Sequence, residues 1–118
     1  MLAWIEEDRS GRGRGFAMLG FYCEDTSPSR QVIADLLALA VLPNFQRTGI
    51  GTRLLHHAID AAERIVPGPA MLRLTVAEHN RSAQRLYARH AFTVVDGTAT
   101  YDRGQRALRM VRALKRAG

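Results

Sequence analysis

The chain has 118 residues, of which 47% are hydrophobic, and it carries a formal net charge of +6. This length leaves room for one domain with one hydrophobic core, and the apolar content excludes an intrinsically disordered chain. No apolar run approaches the roughly 20 residues that span a bilayer, and the first residues lack the pattern of a secretory signal peptide. We therefore expect a single domain over residues 1–118 with no membrane partner.

A single cysteine, Cys23, excludes a disulfide within the chain. This usage is typical of proteins of the reducing cytoplasm, and we predict that location. The sequence points to no basic partner that would activate a thiol, so we expect Cys23 to fill space in a strand.

The first third of the chain predicts three strands. Residues 1–7 and 16–24 flank a glycine-rich segment, residues 11–15, which predicts a hairpin turn. A longer apolar run, residues 32–42, predicts the third strand. Strict alternation gives this strand two faces, one with Ile33, Asp35, Leu37, Leu39 and Val41, the other with Ala34, Leu36, Ala38 and Ala40.

Two helices and three further strands follow. Apolar residues at helical spacing predict a helix over residues 49–65, ended by the breaker Val66-Pro-Gly-Pro69. Residues 71–76 predict a strand, and Asn80 is suited to cap a second helix. Residues 92–95 and 107–114 predict the last strands, with a loop between them. The order β-β-β-α-β-α-β-β predicts an α/β fold in which helices pack on a mixed sheet.

The junction between the third strand and the first helix is a candidate anion site. Gly49 and Gly51 allow the backbone to approach a ligand closely, and the first amides of a helix have no partner within it. A phosphate is the usual occupant of such a turn. The P-loop pattern and the dinucleotide-binding pattern are both absent. The alternative is a plain turn that connects a strand to a helix.

Two further patterns have a fixed spacing. The first is Gln46-x-x-Gly49-x-Gly51, and the second is Asn80-x-x-Ala83-x-x-Leu86-Tyr87 followed by Phe92. Both resemble motifs of the GCN5-related N-acetyltransferase (GNAT) superfamily. The first resembles its coenzyme A pyrophosphate loop, Gln/Arg-x-x-Gly-x-Gly/Ala, and the second resembles the helix after the next strand. Ala91 replaces the family's glycine, so we expect a less left-handed helix end. The resemblance covers residues 1–114 and is nearest to the ribosomal-protein-alanine N-acetyltransferase branch.

The resemblance implies acetyl-CoA as the acetyl donor, and it implies no metal. It places the pantetheine arm along a bulged strand and beside Asn80, although Asn80 could instead act only as a helix cap. It places the pyrophosphate on the backbone amides of the loop. The strand residues are Leu39, Ala40 and Val41, and the loop residues are Gln46, Arg47, Thr48, Gly49, Ile50, Gly51 and Thr52.

The resemblance also implies two catalytic candidates. Tyr87 matches the tyrosine that hydrogen-bonds and protonates the departing thiolate, and its alternative is a tyrosine of the core. Asp35 lies where some members, including histone acetyltransferases, carry a base glutamate, and its alternative is a bond to a backbone edge. The ribosomal-protein branch places its glutamate in the next strand, where this chain has Thr75. Glu78 and His79 are nearby substitutes.

We therefore predict an enzyme that moves an acetyl group from acetyl-CoA to a primary amine, with a protein or peptide N-terminus as the favoured acceptor. A small-molecule amine acetyltransferase, a non-catalytic CoA-binding module and a basic nucleic-acid-binding module are the alternatives. The arginines of residues 9–14 lack the interleaved aromatics typical of nucleic-acid binding. The family's first strand and two helices find no match, so we expect an N-terminally short domain that forms a homodimer.

Overall fold

The computed structural model describes residues 2–26, 29–65, 68–100 and 104–115. The elements follow the predicted order, and a short 3-10 turn, Pro43–Phe45, precedes the first helix. They are β1 Leu2–Glu7, β2 Gly13–Thr26, β3 Ser29–Val41, α1 Ile50–Arg64, β4 Met71–Ala77, α2 Arg81–Arg89, β5 Thr93–Asp96 and β6 Ala107–Ala113.

The six strands form one mixed sheet in the order β1-β2-β3-β4-β6-β5. Strands β3 and β4 are parallel, and every other neighbouring pair is antiparallel. A parallel pair needs a crossover connection, and α1 provides it here. The predicted fold class, helices on a mixed sheet, is confirmed.

Both helices pack on the same face of the sheet, which we call the covered face. Helix α1 contributes an apolar stripe, and α2 contributes Tyr87. Ala17, Ile50 and Leu54 form a smaller core cluster on this face. In the larger cluster, side chains of both helices meet alternate residues of four strands. Its members are Leu19, Ala34, Leu36, Leu55, Ala58, Ile59, Ala62, Leu72, Leu74, Val76, Tyr87, Phe92, Met110 and Leu114. Neither described helix is long and apolar enough to cross a bilayer.

No described helix lies on the opposite side of the sheet, which we call the open face. Large apolar side chains remain exposed there, including Ile5 at 66%, Phe16 at 40% and Leu37 at 41%. Apolar side chains also line a groove of about 470 Å³ at one end of this face, between β1 and the end of β3. Contiguous exposed apolar surface of this kind is typical of a binding surface.

Strand β3 carries a β-bulge at Leu37. Met18 pairs with Ala38, and the next residue, Leu19, pairs with Leu36, so Leu37 has no partner on β2. The extra residue reverses the order in which the following side chains point. Leu39 therefore packs against the covered-face core together with Leu36. The strict alternation predicted over the whole strand is wrong beyond Leu37.

The hairpin of β2 and β3 extends past its neighbours in the sheet. Strand β1 pairs with β2 only as far as Leu19, and β4 pairs with β3 from Ala34 onward. Cys23 lies on this projecting part, where it is exposed. The prediction that Cys23 fills space in a strand is therefore wrong, because the strand continues beyond the part of the sheet that the helices cover.

Candidate functional site

Strands β3 and β4 separate in the middle of the sheet. Their pairing consists of Ala34 with Leu72, Asp35 with Arg73 and Leu36 with Leu74. Beyond these pairs β3 runs to Val41 and β4 to Ala77, and the described backbone shows no pairing between the two ends. The separation begins at the bulge, because the extra residue turns β3 away from its neighbour. We call this gap the β3–β4 split.

A cavity of about 480 Å³ opens at the split on the side of the helices. We call it the helix-side cavity. All residues predicted to bind the cofactor line it except Thr48 and Ile50, and Ile50 instead packs in the core, 1% exposed. The lining residues are Leu39, Ala40, Val41, Gln46, Arg47, Gly49, Gly51, Thr52, Asn80, Ser82, Ala83, Leu86, Tyr87 and Arg89.

The loop before α1 leaves several amides free to face a ligand. Gly49 is the N-cap, in the left-handed conformation at φ 86°, and it caps the helix with no side-chain hydrogen bond. No acidic residue follows in the first turn. The first amides of a helix have no partner inside it, so those of Ile50, Gly51 and Thr52 can bind an anion. The turn therefore has the properties of a phosphate site.

Side chains of the loop hold its shape. Gln46 donates from Nε2 to the carbonyl oxygen of Val41 at 3.2 Å, and the Thr48 hydroxyl donates to the carbonyl oxygen of Phe45. Arg47 adopts φ 65°, a left-handed conformation that is uncommon outside glycine. The Arg47 side chain is exposed and lines the cavity.

Helix α2 forms the second wall of the helix-side cavity. Asn80 caps it by accepting a hydrogen bond from the Ala83 amide at 3.2 Å, which confirms the predicted cap. Ser82 and Arg89 also line the cavity and were not predicted. Positions 82, 86 and 89 recur at helical spacing, so the face of α2 that carries Leu86 was the signal that could have indicated them.

Tyr87 lies in the cavity wall and is 6% exposed. Its ring meets Phe92 edge to face, with centroids 5.7 Å apart. The helix ends just beyond it, where the Phe92 amide donates to the Tyr87 carbonyl oxygen at 3.1 Å. Ala91 adopts φ 68° at this end. The expectation of a less left-handed helix end is therefore wrong, because the turn between Tyr87 and Phe92 imposes this conformation on alanine.

Asp35 lies apart from the helix-side cavity, on the open face. Its two carboxylate oxygens accept hydrogen bonds from Arg73, at 2.7 Å from Nε and 2.9 Å from the terminal nitrogen. The pair lines a smaller cavity of about 180 Å³ at the start of the split. We call it the open-face cavity, and its other lining residues are Leu36, Leu37, Leu74, Thr75 and Arg109.

The two substitutes for a base lie in the turn just after β4. Glu78 and His79 line a surface depression together with Arg106, whose carbonyl oxygen accepts a hydrogen bond from the Glu78 amide at 3.1 Å. Neither lines the helix-side or the open-face cavity. Within the described ranges no group of three or more His, Cys, Asp or Glu side chains could hold a metal ion.

Known structures share this architecture. Arabidopsis thaliana NAA60 with a bisubstrate analogue superposes with a TM-score of 0.81 at 22% identity, over 98% of this chain and 76% of that one. The same protein with acetyl-CoA gives 0.79 at 23%, over 95% and 76%. The ribosomal-protein-S18-alanine N-acetyltransferase of Escherichia coli gives 0.71 at 27%, over 99% and 71%. No curated protein matches the chain by sequence.

A family model agrees with the fold and with both motifs. The model of the acetyltransferase (GNAT) domain matches residues 2–94, which include the glycine loop and α2. This range is well over half of the chain. The chain therefore belongs to the GNAT family of N-acetyltransferases.

Proposed function

We propose that this enzyme transfers an acetyl group from acetyl-CoA to the α-amine of a protein or peptide. One observation carries the proposal: the helix-side and open-face cavities reach the same β3–β4 split from opposite faces of the sheet. Two substrates that enter from opposite sides can meet at such a gap. The E. coli relative is named for an alanine of ribosomal protein S18, and this agrees with the choice of a protein acceptor.

The helix-side cavity fits coenzyme A as the donor. Its first-turn amides and the left-handed Gly49 suit a pyrophosphate, and Arg47 and Arg89 add positive charge at its wall. A Cβ added to Gly51 would lie 3.5 Å from Leu86 and 3.8 Å from Val41, so the glycine keeps the passage between α1, α2 and β3 wide. The unpaired end of β3 offers backbone groups to a pantetheine arm.

Bound acetyl-CoA supplies an activated thioester, so this chain's residues mainly align the partners and manage protons. The amine nitrogen forms a bond to the carbonyl carbon while the carbon–sulfur bond breaks and the electron pair leaves with sulfur. We assign Tyr87 to donate a hydrogen bond to that sulfur. Free tyrosine titrates near ~10 and a thiol near ~8.5, so complete proton transfer costs roughly 2 kcal/mol. Hydrogen bonding therefore precedes any transfer.

The acceptor needs little help to lose its proton. With a pKa of about 7.7–8.0, roughly 10% of an α-amine is neutral at pH 7. Asp35 lies on the open face, where each of its oxygens accepts a hydrogen bond from Arg73, so the carboxylate is oriented toward Arg73. We therefore propose that the neutral amine enters from solution, that water takes the surplus proton, and that Asp35 holds Arg73 in place.

We also propose that residues 1–118 form one domain that associates as a homodimer. The single sheet, whose two core clusters both pack against Trp4 and Leu39, supports the first part. The exposed apolar side chains of the open face, such as Ile5 and Phe16, support the second. The free and exposed thiol of Cys23 supports a reducing compartment such as the cytoplasm.

A coupled assay for thiol release tests the proposed function. Purified protein, acetyl-CoA and a peptide with a free N-terminus should release CoA, and mass spectrometry should show one acetyl group on the peptide. Tyr87→Phe should lower kcat about 10- to 1000-fold with little change in CoA affinity. Tyr22→Phe makes the same chemical change at an exposed site and serves as the control.

Three results would each contradict part of the proposal. CoA binding without acetyl transfer to peptides or small amines would indicate a non-catalytic module. Transfer to small amines alone would indicate the wrong acceptor. Full kcat in Tyr87→Phe would leave that residue with a role in the core only.

A further inference from the structure

We infer that the open-face cavity selects acceptors that carry a carboxylate within about one residue of the reacting amine, and that Arg109 binds this carboxylate. The inference rests on the proposed function, since it concerns the acceptor side of the same split. It adds a substrate class and a specificity-determining residue, both of which follow from the charges and the register around this cavity.

The charge of the cavity is not balanced. Asp35 and Arg73 satisfy each other through two hydrogen bonds, so this pair contributes little net charge. Arg109 lines the same cavity, and it makes no hydrogen bond or ion pair to any other residue in the described ranges. The described lining residues of this cavity therefore carry one more positive than negative charge, and the Arg109 side chain is exposed.

The nearest carboxylate on the neighbouring strand is engaged elsewhere. Asp96 pairs with Arg109 in the β5–β6 register, but its Oδ1 accepts hydrogen bonds from Thr98, at 2.8 Å from the amide and 2.6 Å from the hydroxyl. These hydrogen bonds from Thr98 lower the pKa of Asp96 more than the charge of Arg109 does. Asp96 is therefore held in its own turn and acts on Arg109 through its charge alone, so the Arg109 guanidinium keeps its donors for a ligand.

The strand register places Arg109 next to the split. Arg109 lies directly opposite Thr75, and Thr75 is the first residue of β4 beyond the last pair with β3. Residues in direct register have Cβ atoms about 4.5–5.5 Å apart. An acceptor amine at the split would lie beside Thr75. Consecutive Cα atoms of an acceptor peptide are about 3.8 Å apart, so a carboxylate on its first or second residue stays close enough for the long Arg109 side chain to reach.

An arginine fork matches a carboxylate in two hydrogen bonds, which makes the contact strong and directional. Two sources present a carboxylate at this separation. One is a peptide with an acidic residue at its first or second position, and the other is a free amino acid. Both share an amine with a nearby carboxylate, and the experiment distinguishes them.

A matched set of acceptors tests the inference. Three peptides identical except for Asp, Asn or Lys at the second position are assayed for kcat/KM, together with free alanine and aspartate. Wild-type protein should prefer the Asp peptide over the Asn peptide by about 10-fold or more. Arg109→Gln should remove this preference, and Arg109→Glu should shift it toward the Lys peptide. Arg64→Gln removes an exposed arginine at the end of α1 and should leave the preference unchanged.

The possible outcomes separate the inference from the proposed function. Acetylation of all three peptides at equal rates, or an unchanged preference in folded Arg109→Gln, would overturn the inference alone. Acetylation of free amino acids with no peptide activity would support the carboxylate contact and assign it to a small acceptor. Failure to acetylate any acceptor would overturn the proposed function and the inference with it. Thermal melts of each variant establish that the protein is folded.

Discussion

The two faces of the sheet use the same strands for different purposes. On the covered face, alternate residues such as Leu19, Leu36 and Leu74 are almost completely buried against the helices. On the open face, their neighbours are a bidentate ion pair, an exposed arginine beside the open-face cavity and exposed apolar side chains. Because adjacent strand residues point to opposite faces, one face can supply the stability of the fold while the other remains available for binding.

The bulge at Leu37 changes which residues of β3 face the helices. Before it, even-numbered residues such as Ala34 face the helices, and after it Leu39 does so. The same bulge coincides with the end of β3–β4 pairing. One inserted residue thus opens the split and orients the lining of the helix-side cavity, which explains why both candidate substrate sites lie beside it.

The largest expected effect on the free energy of unfolding comes from truncating one apolar side chain on each face and comparing the two variants. Leu19→Ala removes a completely buried side chain from the covered face and should lower the free energy of unfolding by about 2–5 kcal/mol. Ile5→Ala is the matched change on the open face, where the side chain is 66% exposed, and it should cost about 0.5 kcal/mol or less. Urea denaturation measures both. A cost above ~1.5 kcal/mol for Ile5→Ala at high protein concentration would indicate that a second copy covers this face.

The next effect concerns the donor site on the covered face. Gly49→Ala and Gly49→Glu both force a side chain into the left-handed conformation at φ 86°, so they share its backbone strain. Only the glutamate places a negative charge at the helix N-terminus, where it would repel a pyrophosphate. Titration calorimetry should therefore show CoA binding at least about 10-fold weaker for Gly49→Glu than for Gly49→Ala. Equal affinities would move the phosphate site away from this loop.

A smaller change, a gain in stability, is expected from a substitution at the end of α2. Ala91 adopts φ 68°, a conformation that costs an L-residue about 1–2 kcal/mol, and glycine avoids this cost. After the greater chain entropy of glycine is subtracted, Ala91→Gly should stabilise the fold by about 0.5–1 kcal/mol in thermal or chemical unfolding. Ala88→Gly, inside the same helix, should destabilise it by about 1 kcal/mol. Destabilisation by both changes would contradict the left-handed helix end.

The smallest effect is expected from breaking the ion pair between β1 and α1. Arg53 donates two hydrogen bonds to Oε1 of Glu6, at 3.1 and 2.8 Å, and this contact lowers the pKa of Glu6. A lowered pKa in the folded state stabilises the protein above the unfolded value of about 4.3, and this contribution is lost as pH falls through the folded value. Arg53→Met should lower the free energy of unfolding by less than about 1 kcal/mol at pH 7. It should also reduce the loss of stability that follows when the pH falls below ~4.3. Arg85→Met changes an exposed arginine of α2 and should leave the loss of stability at low pH unchanged.

Local patterns predicted much of the fold and the donor site. The element order follows from apolar periodicity, the breaker after α1 and the cap at Asn80, all of which act between residues close in the chain. The two motifs also located the helix-side cavity, since the glycine loop and α2 lie at its walls. Ser82 and Arg89 were missed because their place depends on which face of α2 turns toward α1.

The sequence by itself determined the order of the elements, the glycine turn and the helix cap, because each depends on backbone preferences and hydrogen bonds within a few residues. Only the tertiary structure decided the bulge at Leu37, the pairing of Asp35 with Arg73 and the position of Arg109 beside Thr75. These features depend on strand register between segments far apart in the chain. A shift of one residue moves every side chain to the other face, and no local pattern records which register packs best.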